Sequence, residues 1–445
     1  MPCNNIITAI DIGTSKTVAI AGTKDDQGRV KILGIGEAET KGVIRGTVQN
    51  IMSARDSIKE AVEKCQKAAN VQFKYVYVGI DGRNICGQVN SHSKIITDII
   101  TDDDIKQLTE ELNQISAGQD ENIIHVIPQG YSVDNNAVGL NPKGYNGRKL
   151  EGTFYVVKGK DKAVNNIRQA VEMAGLKIIK LILEPLASAE AVLSKDEKEV
   201  GVILADIGAG TADIAVFQDN ILRYTSVVPL GGKAITNDIK KGCGVLERQA
   251  EQIKVQYGAA LSQKDFAKKA VTVKGVNGKS KEIPFTAIAS IINARVEEIL
   301  GGIANEIDTI RNQTQLSAGL VLTGGTSKLK SLVQLAKFRL SIETRTGTPL
   351  YINPEYSTEG YAAAVGLIIK GMEYTESILE QRRLKAEKEK AAEQQQTSQA
   401  TKPDDKAKDN SKAKTKDDND DKGGIRGWFD SLIGKIFSEP NDSKM

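Results

Sequence analysis

An aspartate followed by a corner of small residues, set between two apolar runs, occurs twice in this chain: AIDIGTSKTVAIAG from Ala9 to Gly22 and ILADIGAGTADIAVF from Ile203 to Phe217. Asp11 aligns on Asp206, Ile12 on Ile207 and Gly13 on Gly208 with one constant offset. Each copy reads as strand, acid, tight turn, strand, a β-hairpin whose tip presents backbone N–H groups. Such groups bind anionic oxygens, and Gly13, Thr14 and Ser15 in one copy, with Gly208, Ala209, Gly210 and Thr211 in the other, are small enough to let a phosphate approach. Ser15, Lys16 and Thr211 add side-chain donors and one positive charge. Asp11 and Asp206, at the strand ends, would face a hydrated Mg²⁺, which prefers carboxylates while keeping several waters. Two such corners facing each other would clamp one nucleotide.

Two further segments fit that chemistry. GLVLTGGTSKLKSL, Gly319 to Leu332, reads as a buried strand, then Gly324, Gly325, Thr326 and Ser327, then a helix. A Gly-Gly there lets backbone pass against a flat ring, and Thr326 or Ser327 can cap the helix; a plain strand-to-helix turn reads the same way. In AEQIKVQYG, Ala250 to Gly258, Glu251 and Lys254 lie on one helical face. They suit either a surface ion pair or a ribose hydroxyl and an adenine edge. No G-x-x-x-x-G-K-[ST] and no strand followed by G-x-G-x-x-G occurs, so the P-loop and dinucleotide folds lack their signatures.

The elements that must position these groups follow from length and pattern. At 445 residues with 40% hydrophobic side chains, the chain can bury more than one core. From Ile6 to about Gly371, β-like runs alternate with amphipathic helical windows, the pattern of an α/β protein. From Thr375 helix-favouring Glu, Lys, Arg, Gln and Ala dominate, and by Thr397 they give way to a Lys/Asp/Asn/Ser mixture that cannot bury a core and reads as a tether. Apolar residues then return in GGIRGWFDSLIGKIFSEP, where Ile425, Trp428, Phe429, Leu432, Ile433, Ile436 and Phe437 gather on one helical stripe. Full burial of such side chains is worth roughly 1.5–3 kcal/mol each, but an interfacial helix buries them partly, so at a membrane one copy should bind reversibly and many held side by side would bind firmly. The alternative is a helix docked on its own globular body.

Other classes are excluded by what the sequence lacks. The four cysteines show no C-x-x-C pairing and the two histidines have no ligand-spaced partners, which argues against a disulfide framework or a histidine metal site. Net charge is +3 with the signs interspersed, leaving no stripe for nucleic acid. The start lacks the pattern of a secretory leader and no run approaches the ~18 apolar residues of a membrane span, so the expected location is the cytoplasm.

The hairpins, the Gly-Gly turn and the A-E-x-x-K helix, in this order, resemble the actin, Hsp70 and sugar-kinase ATPase superfamily. IDIGTSKTVAI near the start, TKGVIRGTVQNI (Thr40 to Ile51), NPKGYNGRKLEG (Asn141 to Gly152), LEPLASAEAVL (Leu183 to Leu193), VVPLGGKAITNDI (Val227 to Ile239) and INARVEEIL (Ile292 to Leu300) narrow the resemblance to the FtsA family of actin-like bacterial cell-division proteins. It runs from about Ile6 to Gly371 and resumes at the terminal helix; Tyr145 stands where family members usually carry Met. The resemblance implies a two-lobed actin-like ATPase fold with an inserted 1C-type subdomain. Its lobe 1 core (1A) would be 1–84 and 159–198, the insert (1C) 85–158, the lobe 2 core (2A) 199–226 and 305–372, and subdomain 2B 227–304. A linker, helical then disordered, would fill 373–422, and a membrane-binding amphipathic helix 423–439.

Matched position by position, the resemblance assigns Asp11, Gly13, Thr14, Ser15 and Lys16 to one phosphate clamp and Asp206, Gly208, Gly210 and Thr211 to the other. Gly231 and Gly232 would flank the cleft, Glu251 and Lys254 would contact ribose and adenine, and Gly324, Gly325 and Thr326 would line the adenine site. Glu184 would orient an attacking water, with hydrolysis at most slow. ATP and Mg²⁺ are the implied cofactors. Arg295 and Glu298 would meet the C-terminal peptide of FtsZ beside Ile291, Ile292, Val296 and Ile299, residues that read equally as a core stripe. Other implied partners are further copies of the chain in a filament, lipids on the cytoplasmic face of the inner membrane at the division septum, and later division proteins. Rival readings are a chaperone ATPase, which would need a peptide-binding β domain after the ATPase; a small-molecule kinase, which would need a substrate-binding acid; and a PilM-like pilus scaffold, which would not need the terminal helix.

Overall fold

The computed structural model describes residues 6–116, 118–262, 264–274, 280–311, 314–350 and 352–399, and divides into two units meeting between Glu373 and Tyr374. The first opens with a meander, β1 (Ile7–Ile12), β2 (Lys16–Lys24) and β3 (Val30–Glu39), followed by a ribbon of β4 (Val43–Ile44) and β5 (Thr47–Val48), then α1 (Ile51–Ala69) and β6 (Tyr75–Ile80). All six residues of β1 are buried, as expected of a strand covered on both faces. Asn50 caps α1 by accepting from Ser53 N at 3.0 Å, and Asn70 ends it in the left-handed region; between them Ala54, Ile58, Ala61, Val62 and Cys65 form the buried stripe.

The chain next leaves this lobe for a separate sheet: β7 (Ile85–Ile95), α2 (Asp102–Ser116), β8 (Glu121–Val133), β9 (Asn136–Gly139) and β10 (Lys149–Lys160), in the order β7-β10-β8-β9. This insert has its own core, including Ile100, Leu108, Tyr131, Leu150 and Phe154, with Tyr131 and Phe154 packed edge to face. Then α3 (Asp161–Met173) and β11 (Lys177–Leu183) complete a five-stranded sheet, β11-β6-β1-β2-β3, before α4 (Glu184–Val192) and α5 (Lys195–Val200).

Lobe 2 repeats the plan. Its meander is β12 (Val202–Ile207), β13 (Ala212–Gln218) and β14 (Ile221–Val228), followed by α6 (Gly232–Cys243), α7 (Glu247–Tyr257), a ribbon of β15 (Ala270–Lys274) and β16 (Ser280–Pro284), and α8 (Phe285–Ile310). Strand β17 (Leu320–Thr323), α9 (Leu332–Leu340) and β18 (Thr344–Thr346) close a sheet in the order β14-β13-β12-β17-β18, strand for strand the pattern of lobe 1. The last described element is α10 (Ala362–Gln399).

Two expected boundaries move. Helix α5 packs on lobe 2, with Lys198 Nζ 5.4 Å from the Phe217 ring centre and Asn220 N donating to Lys198 O at 3.1 Å, so lobe 1 ends before residue 195 rather than at 198. The start of α10 packs on lobe 1: Ile368 lies against Gly22, Tyr77 against Gly371 and Ala187 O against Gly366. Its first turns therefore belong to lobe 1, not to a lobe 2 segment reaching 372. The apolar run that opens α10 shows that it is buried, not which of two similar sheets covers it, and α5 offers no apolar stripe at all, its buried residue being Lys198. The tether beyond 399 and the amphipathic helix at 423–439 lie outside the described residues. Among the described helices none is long and apolar enough to cross a membrane.

Candidate functional site

Both predicted hairpins are present with matching registers. In the first, Asp11 pairs with Val18 and Ile12 with Thr17; in the second, Asp206 pairs with Asp213 and Ile207 with Ala212. Their corners meet. A Cβ on Gly210 would lie 2.3 Å from Thr14 Oγ1 and 2.9 Å from Arg45 Cα, so only glycine allows this approach. Thr14 Oγ1 also accepts from Gly46 N at 3.0 Å, joining the first corner to the β4–β5 ribbon.

The second corner is braced from three sides. Gly208 N donates to Thr211 O at 2.9 Å, Gly232 N to Gly208 O at 3.0 Å and Lys233 N to Ala209 O at 2.8 Å. Thr326 Oγ1 donates to Gly208 O at 2.8 Å. Gly231, Gly232, Gly324 and Thr326 are thus gathered around one loop, although Thr326 lies 118 residues from Gly208 in sequence. Gly324 has φ +84°, and a Cβ there would fall 2.2 Å from Asp206 Oδ1; one at Gly325 would meet nothing within 4 Å. Beside Gly232, Lys254 Nζ donates to Gly232 O at 3.1 Å, Thr236 Oγ1 at 2.9 Å and Glu251 Oε2 at 2.8 Å, and the Thr236 hydroxyl donates to Glu251. Glu251 and Lys254 are therefore neighbours of the corner rather than an isolated surface pair.

Beneath the corners lies a nest of carboxyls. Asp11, Glu184 and Asp213 are buried; Asp81 and Asp206 are half-buried. Ser188 Oγ donates to Asp206 Oδ2 at 2.6 Å, and Thr211 Oγ1 lies 2.8 Å from Asp213 Oδ2 and 3.3 Å from Asp81 Oδ2. Asp213 Oδ1 has no hydrogen-bond partner among the described residues. Burial, compounded by neighbouring carboxylates, drives Glu184 and Asp213 well above the usual carboxylate range. Burial also raises Asp11 to about 7 against the pull of Lys16, and Asp206 to about 6 against the Ser188 hydrogen bond. The nest is short of positive charge, yet among the described residues no three of His, Cys, Asp and Glu form a ready metal cage.

Lys16, expected at a phosphate, instead has Nζ 2.7 Å from Glu37 Oε1 and 4.2 Å from the Tyr361 ring centre. Arg295 Nε donates to Asp238 Oδ2 at 2.6 Å and Nη1 donates to Glu298, while Ile292, Val296 and Ile299 are buried in the lobe 2 core. Around Arg295 and Glu298, α8 also leaves Ala294 exposed and Ile291 half-buried. Asp81, Ser188 and Asp213 were not picked out from sequence. Asp213 carried a signal, since it faces Asp206 across a hairpin whose register the alignment already set; Asp81 ends an ordinary β run and carried none.

Two lobes of one sheet order, hairpin corners meeting across a cleft and a subdomain inserted in the first lobe define the actin-like fold. A chain of the PilM–PilN type IV pilus biogenesis complex matches with a TM-score of 0.60 at 16% identity, over 82% of this chain and 98% of that one. MreB 5 of Spiroplasma citri bound to AMPPNP matches with 0.52 at 13% identity, over 85% and 99%. The sequence is more specific. The family description for cell division protein FtsA matches residues 203–366, and that for the SHS2 domain inserted in FtsA matches 80–158. Cell division protein FtsA of Pseudomonas aeruginosa is 35% identical over 83% of this chain and 89% of its own length; that of Bacillus subtilis is 35% identical over 82% and 83%, and that of Escherichia coli 32% over 83% and 90%. The chain belongs to the FtsA family of cell-division proteins.

Proposed function

We propose that this chain is an ATP-binding, actin-like cell-division protein that polymerises on the cytoplasmic face of the inner membrane at the division septum. Through its C-terminal amphipathic helix it anchors FtsZ filaments there and helps recruit later division proteins. The carrying observation is the meeting of the Gly210 and Thr14 corners, which brings two sets of backbone donors from two lobes to one place. Family membership and the AMPPNP-bound MreB 5 of the same fold support the reading.

The residues fit a nucleotide with its ion. The corners offer N–H groups without Cβ obstruction, and the unpartnered Asp213 oxygen within a cation-poor nest of carboxyls is an oxygen donor set that would suit a hydrated divalent ion. When bound, Mg²⁺ would neutralise phosphate charge. The chain's own groups would divide the remaining work: Gly13, Thr14, Ser15, Gly208, Gly210 and Thr211 would cradle phosphates, Asp11 and Asp206 would hold the hydrated ion, and Ser188 fixes Asp206. Gly231, Gly232, Glu251, Lys254, Gly324, Gly325 and Thr326 surround the nucleoside. Glu184, which burial beside other carboxyls raises well above the usual carboxylate range, would orient the attacking water, with turnover at most slow. On α8, Arg295 and Glu298, held beside Asp238 over a packed core, are the groups for the FtsZ C-terminal peptide.

The test is co-sedimentation of the full chain with liposomes, beside a version ending before Gly423, each with and without Mg-ATP, with Mg-ATP affinity measured by calorimetry. Pelleting by the full chain alone, strengthened by Mg-ATP, is expected. If both versions stay in the supernatant, the anchor is refuted; if no heat of binding is found, the cleft assignment is.

A further inference from the structure

Strand β8 of the insert touches both lobes. His125 Nε2 accepts from Leu183 N at 3.0 Å, at the end of β11 and one residue before Glu184. Four residues along the same strand, Gln129 Nε2 donates to Leu222 O at 2.9 Å on β14 of lobe 2. Arg223 Nη1 returns the contact, 3.2 Å from Gln129 Oε1 and 3.3 Å from Gln129 O. On the neighbouring strand β10, Tyr155 Oη accepts from Thr225 N at 2.8 Å.

Gln129 and Arg223 are both bulge residues. The β8–β10 register passes from Pro128 to Gly130, leaving Gln129 unpaired, and the β13–β14 register passes from Leu222 to Tyr224, leaving Arg223 unpaired. A bulge interrupts its ladder and re-aims a side chain. Here two sheets each place their extra residue in one shared contact. Strand β14 is also an edge strand, so Leu222 O and Thr225 N are edge groups satisfied by the insert instead of by water.

We infer that β8 is a strut between the lobes, fixed to lobe 1 through His125 and latched to lobe 2 through the paired bulges Gln129 and Arg223, so that opening of the cleft and undocking of the insert are one coupled motion. Four strand residues span about 13 Å and stretch little. Rotation of one lobe against the other changes the distance from Leu183 to β14, and one end of the strut must let go. The His125 end is buried; the Gln129–Arg223 end is half-buried, where water can replace the lost hydrogen bonds, and is the end that releases. Strand β14 is hydrogen-bonded to β13, which carries Asp213 and leads from the Gly210 corner, so the latch lies one strand from the site. By linkage, a ligand that favours one cleft closure shifts the docking of the insert, and whatever binds the insert shifts affinity at the cleft by the same factor. This second consequence rests on the nucleotide reading; the strut itself does not.

The experiment is a spin-label distance measurement on the full chain, labelled at Lys59→Cys on α1 and Asp308→Cys on α8 with Cys3 and Cys86 replaced by Ser, beside Mg-ATP calorimetry. The triple variant Gln129→Ala, Arg223→Ala, Tyr155→Phe is compared with the parent, and Gln129→Ala alone serves if the triple variant fails to fold. A broadened or shifted distance distribution in the variant without nucleotide, with Mg-ATP affinity changed at least threefold, is expected. Superimposable distributions with parental Mg-ATP affinity would overturn the strut and leave the nucleotide reading standing. A changed distribution in a protein that shows no Mg-ATP binding would support the strut and refute the nucleotide reading.

Discussion

The two hairpin corners are near-copies in sequence and unlike in support. The lobe 2 corner is held by Gly232 N, Lys233 N and the Thr326 hydroxyl, three groups from two other segments. The lobe 1 corner has Thr14 tied to Gly46 N and Ser15 O accepting from Thr40 N at 3.1 Å, while Lys16 turns to Glu37. A loop braced on three sides is already in its binding shape and loses little entropy when a ligand arrives. The less-braced corner has more freedom to adjust. One local solution, used twice, thus yields a fixed jaw and a yielding jaw, and the difference comes from residues outside both hairpins.

The largest effect that would break this asymmetry is expected from Gly324→Ala. It places a Cβ at positive φ 2.2 Å from Asp206 Oδ1 and 2.6 Å from Ile207 O, so backbone of the fixed jaw must shift. A loss of about 3 kcal/mol in denaturant unfolding is expected; a change below about 1 kcal/mol would show that the bracing is slack.

Next comes the carboxyl nest. Asp206 has its folded pKa raised from 3.8 to about 6, so the folded state keeps a proton that the unfolded chain releases. Its contribution is fully present below pH 3.8 and is lost as pH rises through about 6. Asp206→Asn should remove that loss, making the nucleotide-free variant less pH-sensitive than the parent between pH 4 and 7, by about 2 kcal/mol. His125, lowered by burial from 6.5 to about 3, acts in the opposite sense, its contribution being lost as pH falls below 6.5. Parent and variant must therefore be compared at each pH; parallel curves would refute the assignment.

Thr326→Val removes one brace and keeps the shape. It should cost about 1 kcal/mol of stability and weaken Mg-ATP binding severalfold, whereas unchanged affinity in calorimetry would mean that the other two bonds suffice. The smallest effect belongs to the yielding jaw. Glu37→Gln removes an ion pair whose side chains are 37% and 42% exposed, and a stability change under about 0.5 kcal/mol is expected. A larger loss would make the two jaws more alike than their hydrogen bonds indicate.

Much of the site was legible because its parts are local. A hairpin is set by alternation and a small-residue turn within a dozen residues, so both corners and both aspartates could be read directly, and their repetition anticipated the duplicated sheets. Asp81 was not legible, because an acid at the end of a β run acquires meaning only when the hairpin corner of the other lobe brings Thr211 beside it. The placement of α5 and the start of α10 was missed for a related reason. The start of α10 is visibly apolar, but two sheets of identical order compete for it; α5 has no apolar face to read, since the residue it buries is Lys198.

The sequence by itself determined the repeated strand-corner-strand units, the alternation that makes an α/β chain, the glycines at the turns and the family. Those properties depend on neighbours a few residues apart. Tertiary structure alone decided which carboxyls share the cleft, where Lys16 turns, which jaw is braced and that the bulges at Gln129 and Arg223 meet. Each of those depends on contacts between residues distant in sequence, created when separately folding sheets dock.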